Sequence, residues 1–183
     1  MTSNSFSKQI QNRNFLSPTG FQFNLVKCPK VSFLCVNARI PEVSLDLTIQ
    51  PSYLKNIDVP GEKLTYGDLN LKFLVDENLE NYMQIHNWIT GLGFPESTEQ
   101  YSDLSQNDNG DYDEKQQFSD GSLTILNSNF RANAIVKFVD LFPISLSSLE
   151  FDSSLGEASY FTADVTFKYT VYNILDADGR TPL

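Results

Sequence analysis

Apolar and polar residues alternate with a period of two along most of this chain, the signature of strands with one buried face. Phe21, Phe23 and Leu25 interleave with Gln22 and Asn24. Lys27-Cys28-Pro29-Lys30 reads as the turn that follows. Val31 to Ile40 is predicted as a second strand, apolar on both sides at Phe33, Leu34, Cys35 and Val36, hence central, and ended by Pro41. Leu45, Leu47 and Ile49 alternate with Asp46 and Thr48 until Gln50-Pro51-Ser52 breaks the pattern. Tyr53 to Val59 is short and mixed, closed by Pro60-Gly61. The whole segment Ile49 to Tyr66 is extended and weakly apolar, and is expected to stand out from the body as a hairpin. Leu69, Leu71, Phe73 and Val75 alternate with Asn70 and Lys72.

The second half repeats the pattern. Leu123 to Leu126 is a short strand, Asn127-Ser128-Asn129 a turn, and Ala134 to Leu141 a strand that breaks at Phe142-Pro143. Leu146, Leu149 and Phe151 form an apolar crossing segment. Tyr160 to Ile174 reads as one long strand. Ala163, Val165, Phe167, Tyr169 and Val171 occupy one face, and Thr162, Asp164, Thr166, Lys168 and Thr170 the other. At about 3.3 Å per residue it would span about 50 Å, more than a small core requires, so it is expected to enter a sheet shared between subunits.

One segment breaks the period. Leu79, Tyr82, Met83, Ile85, His86, Trp88, Ile89 and Leu92 recur at helical spacing over more than half of a helix circumference. Asp76 is the expected N-cap, and Gly91 or Gly93 the expected stop. So broad an apolar arc predicts burial on two sides, against the helix's own sheet and a neighbouring subunit. The fold class is therefore mainly β with one flanking helix.

The chain has 183 residues, 13% aromatic and 20% charged, which is one domain's worth of material able to bury a core. Residues 1–14 are polar and predicted to be a flexible arm without a signal-peptide core. Residues 15–175 are predicted as a single domain, and 176–183 as a tail. No run of eighteen apolar residues predicts a membrane span. Net charge is −10. Residues 96–120 hold eight carboxylates against Lys115, seven of those ten charges, and are predicted to be a long acidic loop.

That charge disfavours gripping DNA or an anionic membrane. Cys28 and Cys35 are too few for a disulfide scaffold and are read as reduced. His86, alone among apolar residues, reads as a buried or interface histidine. There is no phosphate loop, G-x-S-x-G or H-E-x-x-H, so no catalytic site, metal site or cofactor is predicted. Asp108-Asn109-Gly110-Asp111-Tyr112-Asp113 has the composition of a calcium loop but neither the EF-hand spacing nor its terminal Glu.

Several blocks together resemble the tail tube proteins of contractile-tailed bacteriophages, of the myovirus and cyanophage type. They are Arg13-Asn14-Phe15-Leu16-Ser17-Pro18, Phe33-Leu34-Cys35 leading to Ala38-Arg39-Ile40-Pro41, and Val59 through Gly67-Asp68 into the strand Leu69–Val75. Asp76-Glu77-Asn78, the helix with Trp88, and Val139-Asp140-Leu141-Phe142-Pro143 onward complete the set. The resemblance covers roughly residues 15–95 and 122–175, and the acidic insertion departs from it.

The resemblance implies a β-sandwich or barrel-like tube fold, shared with the haemolysin-coregulated tube of type VI secretion. It also implies hexameric rings that stack, sheath and baseplate or tail-completion proteins as partners, and DNA passing through without specific binding. The location would be the virion tail, assembled in the host cytoplasm. The alternatives are a tube-like baseplate or neck protein, another virion β-sandwich, and a carbohydrate- or calcium-binding sandwich module. On the tube reading, Asp68, Asn70, Asp164 and Thr166 are candidates for the lumen. Tyr53, Leu54, Ile57, Val59, Met83, Trp88 and Leu92 are candidates for intersubunit contacts.

Overall fold

The computed structural model describes residues 15–106, 113–151 and 160–182. The predicted arm, the calcium-like run at 108–112 and residues 152–159 lie outside them. Nine strands and three α-helices follow in the order β1 (Phe21–Leu25), α1 (Pro29–Phe33), β2 (Cys35–Ala38), β3 (Val43–Gln50), β4 (Ile57–Tyr66), β5 (Leu69–Leu74), α2 (Glu80–Gly93), α3 (Thr98–Ser105), β6 (Ser119–Leu126), β7 (Ala132–Leu146), β8 (Thr162–Lys168) and β9 (Val171–Asp176). A 3-10 turn, Glu114–Gln117, precedes β6. The class is mainly β, with antiparallel pairing throughout.

β7 organises the body. Its first part, Ala132 to Leu141, pairs with β6, and β9 lies on its other side from Ala134 to Val139. Its last part, Phe142 to Leu146, pairs with β8. One layer is thus β1-β6-β7-β9 and the other β7-β8-β5-β2, and β7 belongs to both. The terminal strands β1 and β2 are joined directly by α1, so the layers connect at both ends. Between them lie Phe23, Leu25, Leu71, Phe73, Leu123, Val136, Phe138, Leu141, Val165 and Phe167, with Ile85 and Trp88 from α2. Gly121 allows the close approach of β6 to β7, since a Cβ there would meet Leu141 Cδ1 at 2.4 Å.

Several expectations are corrected. Val31 to Ile40 is no central strand. Its first part is α1, which turns Val31 into the core, and β2 is a four-residue strand at the end of its layer. Pro60-Gly61 does not close a strand but lies inside β4, where residues 61–63 bulge against Asp46. Phe142-Pro143 does not break β7, because the register shifts between Pro143 and Ser145, and a bulge tolerates the missing N–H. The Tyr160–Ile174 strand is two strands. The chain turns at Tyr169-Thr170, where the Thr170 N–H donates to the Val139 carbonyl at 3.0 Å, and β9 joins the other layer. The argument from an overlong final strand therefore fails.

The flanking helix α2 is present, but it is one of three. Asp76 does not cap it, since its carboxylate accepts from the Glu77 N–H instead. Asn81 fixes the helix start by donating to the Leu74 carbonyl at 2.7 Å and accepting from the Asp76 N–H at 3.1 Å. The left-handed stop after Gly93 is Phe94, at φ 34°, not either glycine. The acidic segment is also no plain loop, because α3 and the 3-10 turn occupy much of it.

Candidate functional site

Two surfaces and one anchor carry the candidate residues. The first surface is the ribbon β3–β4. It pairs with no other strand among the described residues, and every residue of β3 is exposed. Alternation places Val43, Leu45, Leu47 and Ile49 on one side of it, with Leu64 opposite Leu45 and Pro60 opposite Leu47. Each of the five large side chains is about half exposed. Thr48↔Val59 and Gln50↔Ile57 put Val59 and Ile57 on the reverse side. Tyr53 and Leu54 lie in the tip between the strands, 100% and 91% exposed. The ribbon was legible in the sequence, but its main apolar row lies on β3, partly ahead of the segment Ile49–Tyr66.

An aromatic anchor holds the ribbon to the body. Tyr66, at its end, packs edge-on against Tyr172 at 5.4 Å and tilted against Tyr169 at 6.1 Å. Both of those rings pack on Phe138 of β7. Burial, and then the neighbours Tyr172, Tyr66 and Asp68, push the Tyr169 hydroxyl up to about 12. Sequence alone placed Tyr169 on an inward face and missed this role.

The second surface is the outer face of β2, β5 and β8. The structure brings Asp68, Asn70, Asp164 and Thr166 together there, since Asn70 pairs with Thr166 and Lys72 with Asp164. The Thr166 hydroxyl donates to Asn70 Oδ1 at 2.9 Å. The carboxylates are not free: Lys72 Nζ lies 3.4 Å from Asp164, and Lys168 pairs with Asp68. With Arg39 at the edge, the strip carries three cations against two carboxylates on a chain of net charge −10. Lys72 and Lys168 were visible in the same alternation as their partners.

The helix candidates separate. Met83 is exposed, and Leu92 is partly buried against the core. Trp88 is 2% exposed, so its contacts lie within its own chain. Its indole N–H donates to the Gln117 carbonyl at 2.9 Å, its ring lies 6.1 Å from Phe167, and Lys27 Nζ sits 5.0 Å above it. Burial lowers the pKa of that lysine, against the raising influence of Cys28. Through Trp88 the acidic segment is tied to the core.

His86 is exposed rather than buried in this chain. Cys28 and Cys35 are unpaired, and burial pushes each thiol up to about 11. Among the described residues no group of three or more potential metal ligands converges, and no helix is long and apolar enough to cross a membrane.

The sequence profile of a family described as phage tail tube protein matches residues 1–175. No curated protein sequence matches the chain. The structure is similar to the tube-terminating cap of the anti-feeding prophage, with a TM-score of 0.64 at 13% identity, covering 95% of this chain and 99% of that one. It is similar to a chain in the baseplate of the same particle, with a TM-score of 0.58, 13% identity and coverage of 97% and 99%. It is also similar to a chain in the extended sheath–tube complex of an extracellular contractile injection system, PVC, with a TM-score of 0.58, 15% identity and coverage of 96% and 99%. At such identities the likeness is one of fold.

Proposed function

We propose that this chain, which belongs to the phage tail tube protein family, is a structural subunit that closes into hexameric rings. The rings stack into the tube through which DNA leaves a contractile-tailed particle. The observation that carries this reading is the projecting ribbon β3–β4, apolar along one side and unpaired with the body. An exposed apolar surface of this kind marks an interface, and here it awaits a neighbouring subunit or ring.

Magnitudes favour a closed assembly over a simple pair. Burying the exposed half of each of Val43, Leu45, Leu47, Ile49 and Leu64 gains about 1 kcal/mol apiece, or about 5 kcal/mol per ribbon. Association costs roughly 4–15 kcal/mol in lost freedom. One ribbon contact barely offsets that. In a ring each subunit both gives and receives such a contact, and Met83 on α2 and the tip residues Tyr53 and Leu54 add area. The 6-fold symmetry of the similar baseplate supports six subunits.

The face holding Asp68, Asn70, Asp164 and Thr166 lines the channel in this reading. Its ion pairs make that wall a row of compensated charges rather than an acidic one. A compensated wall has little net field beyond about a Debye length, ~8 Å at physiological salt, and so neither grips nor strongly repels a polyanion. The described parts of the acidic segment, residues 96–106 and 113–120, then face outward. Sheath and baseplate proteins are its partners, a reading supported by the assemblies that hold the similar chains. The place of action is the virion tail, after assembly in the host cytoplasm.

Electron microscopy of the purified chain at high concentration tests this. Rings or short tubes are expected. A strictly monomeric protein, with no tubes in particles that carry it, would overturn the reading.

A further inference from the structure

We infer that the groove at the free edge of β2 receives a carboxylate from a second copy of this chain, and that Arg39 is the group that binds it. Arg39 directly follows β2, and its backbone N–H donates to the Asn70 carbonyl at 3.4 Å. Its side chain is exposed and has no ion-pair partner among the described residues, whereas the neighbouring Lys72 has one in Asp164. Beside it lies a groove of about 380 Å³, lined also by Asn37, Asn70, Leu71, Lys72 and Asp164.

The chemistry of that groove selects a planar anion. A guanidinium offers two parallel N–H donors that match a carboxylate, stronger than a neutral hydrogen bond and fixed in direction. The Asn37 and Asn70 amides line the same groove and add neutral polar groups. Lys72 is already engaged by Asp164, so the free positive charge is that of Arg39.

The second copy is identified by charge and position. β2 is the terminal strand of its layer, so its outer edge is open to a neighbour. The chain carries 23 acidic residues against 13 basic ones, so an unpaired cation on one copy meets a surplus of carboxylates on the next. This inference rests on the ring reading and names one of the contacts that would close the ring.

The experiment compares wild type with Arg39→Glu and Arg39→Lys by mass photometry of the full chain, from about 0.05 to 0.5 M salt. Thermal melting serves as the control for folding. Rings of wild type should weaken as salt rises. Arg39→Glu should lower the ring population roughly tenfold or more at low salt, with unchanged melting. Arg39→Lys should retain part of it. In that variant a zero-length carbodiimide should couple the new amine at position 39 to a carboxylate of another chain, and peptide mapping of the covalent dimer names the acid.

Rings in Arg39→Glu as abundant as in wild type would overturn the inference and leave the tube reading standing. Absence of rings in wild type itself would overturn both. If a labelled single-stranded oligonucleotide binds wild type and loses binding in Arg39→Glu while rings persist, the groove is a phosphate site and the second-copy assignment is wrong.

Discussion

The Tyr172 hydroxyl donates to the Pro41 carbonyl at 3.2 Å, joining residues 131 positions apart. Pro41 lies just ahead of β3. At the same base of the ribbon, just past β4, the Tyr169 hydroxyl donates to the Gly67 carbonyl at 2.8 Å. The two strands of the ribbon therefore leave the body through carbonyls held by two packed tyrosines, Tyr169 in the β8–β9 turn and Tyr172 at the start of β9. Removing either hydroxyl should cost about 1 kcal/mol of stability. The double variant Tyr169→Phe/Tyr172→Phe should leave the core folded and free the ribbon to swing. Hydrogen exchange of the β3 amides checks this, and protection equal to wild type would refute it.

Gly61→Ala should act on the ribbon alone. A Cβ at this position would lie 2.6 Å from the Asp46 carbonyl oxygen, which is backbone and cannot move aside cheaply. The bulge must then open and the apolar row lose its register. Melting of the body should stay within about 0.5 kcal/mol of wild type, while ring formation is lost. Normal assembly of this variant would show that the ribbon is not an interface.

Trp88→Ala should destabilise folding by about 3–5 kcal/mol, through loss of the buried ring and the cavity left behind. Trp88→Phe keeps an aromatic ring but leaves the Gln117 carbonyl without its donor, and the loss of that hydrogen bond alone should cost about 1 kcal/mol. Denaturant titration of both variants separates packing from the hydrogen bond. A full-length Trp88→Ala protein with wild-type melting would contradict the core placement.

Asp164→Lys would set two ammonium groups across one rung of β5–β8 and raise the strip's positive charge. If that face lines the channel, DNA ejection from the tails that form should slow, most at low salt. The swap Lys72→Asp/Asp164→Lys should restore the wild-type rate. Ejection kinetics unchanged at every ionic strength would remove the face from the channel.

Alkaline pH should weaken the fold in a defined window. Burial holds the Cys28 and Cys35 thiols up at about 11 in the folded chain against an ordinary 9.0, and Tyr169 at about 12 against 10.0. These acids are neutral in both states below the lower values. Above them the unfolded chain ionises first, so the stabilisation is full below pH 9 and is lost as pH rises towards 12. Melting temperatures measured across that range should fall, and Cys28→Ala should flatten the first part of the decline. A curve without slope in this window would contradict the burial of these groups.

Local alternation exposed the inward faces of β1, β5 and β8, because each buries every second residue against one core. It failed where a tertiary contact decides the path. Nothing between Tyr160 and Ile174 is a glycine or proline, so the turn at Tyr169-Thr170 left no local mark; a hydrogen bond to Val139 and a change of layer make it. The reverse holds at Pro143 and Pro60, where prolines that read as breakers sit beside bulges inside continuous strands. At Val31 to Ile40 the continuous apolar run reflected a short helix feeding the core, not a strand covered on both faces. The ribbon was legible because its apolar residues had no core to serve. The charge balance of the β2–β5–β8 face needed the cross-strand register, which set Lys72 beside Asp164.

Because β7 runs through both layers, neither layer can be peeled away while the other stays laced. Breaking the rungs to β8 strips the same strand that carries β6 and β9. The amides of β7 should therefore exchange only through global unfolding, at one shared free energy from Ala134 to Leu146, while β3 and β4 exchange through their own shallow opening. A subunit built this way can surrender its ribbon to a neighbour and give up none of the cooperativity of its body.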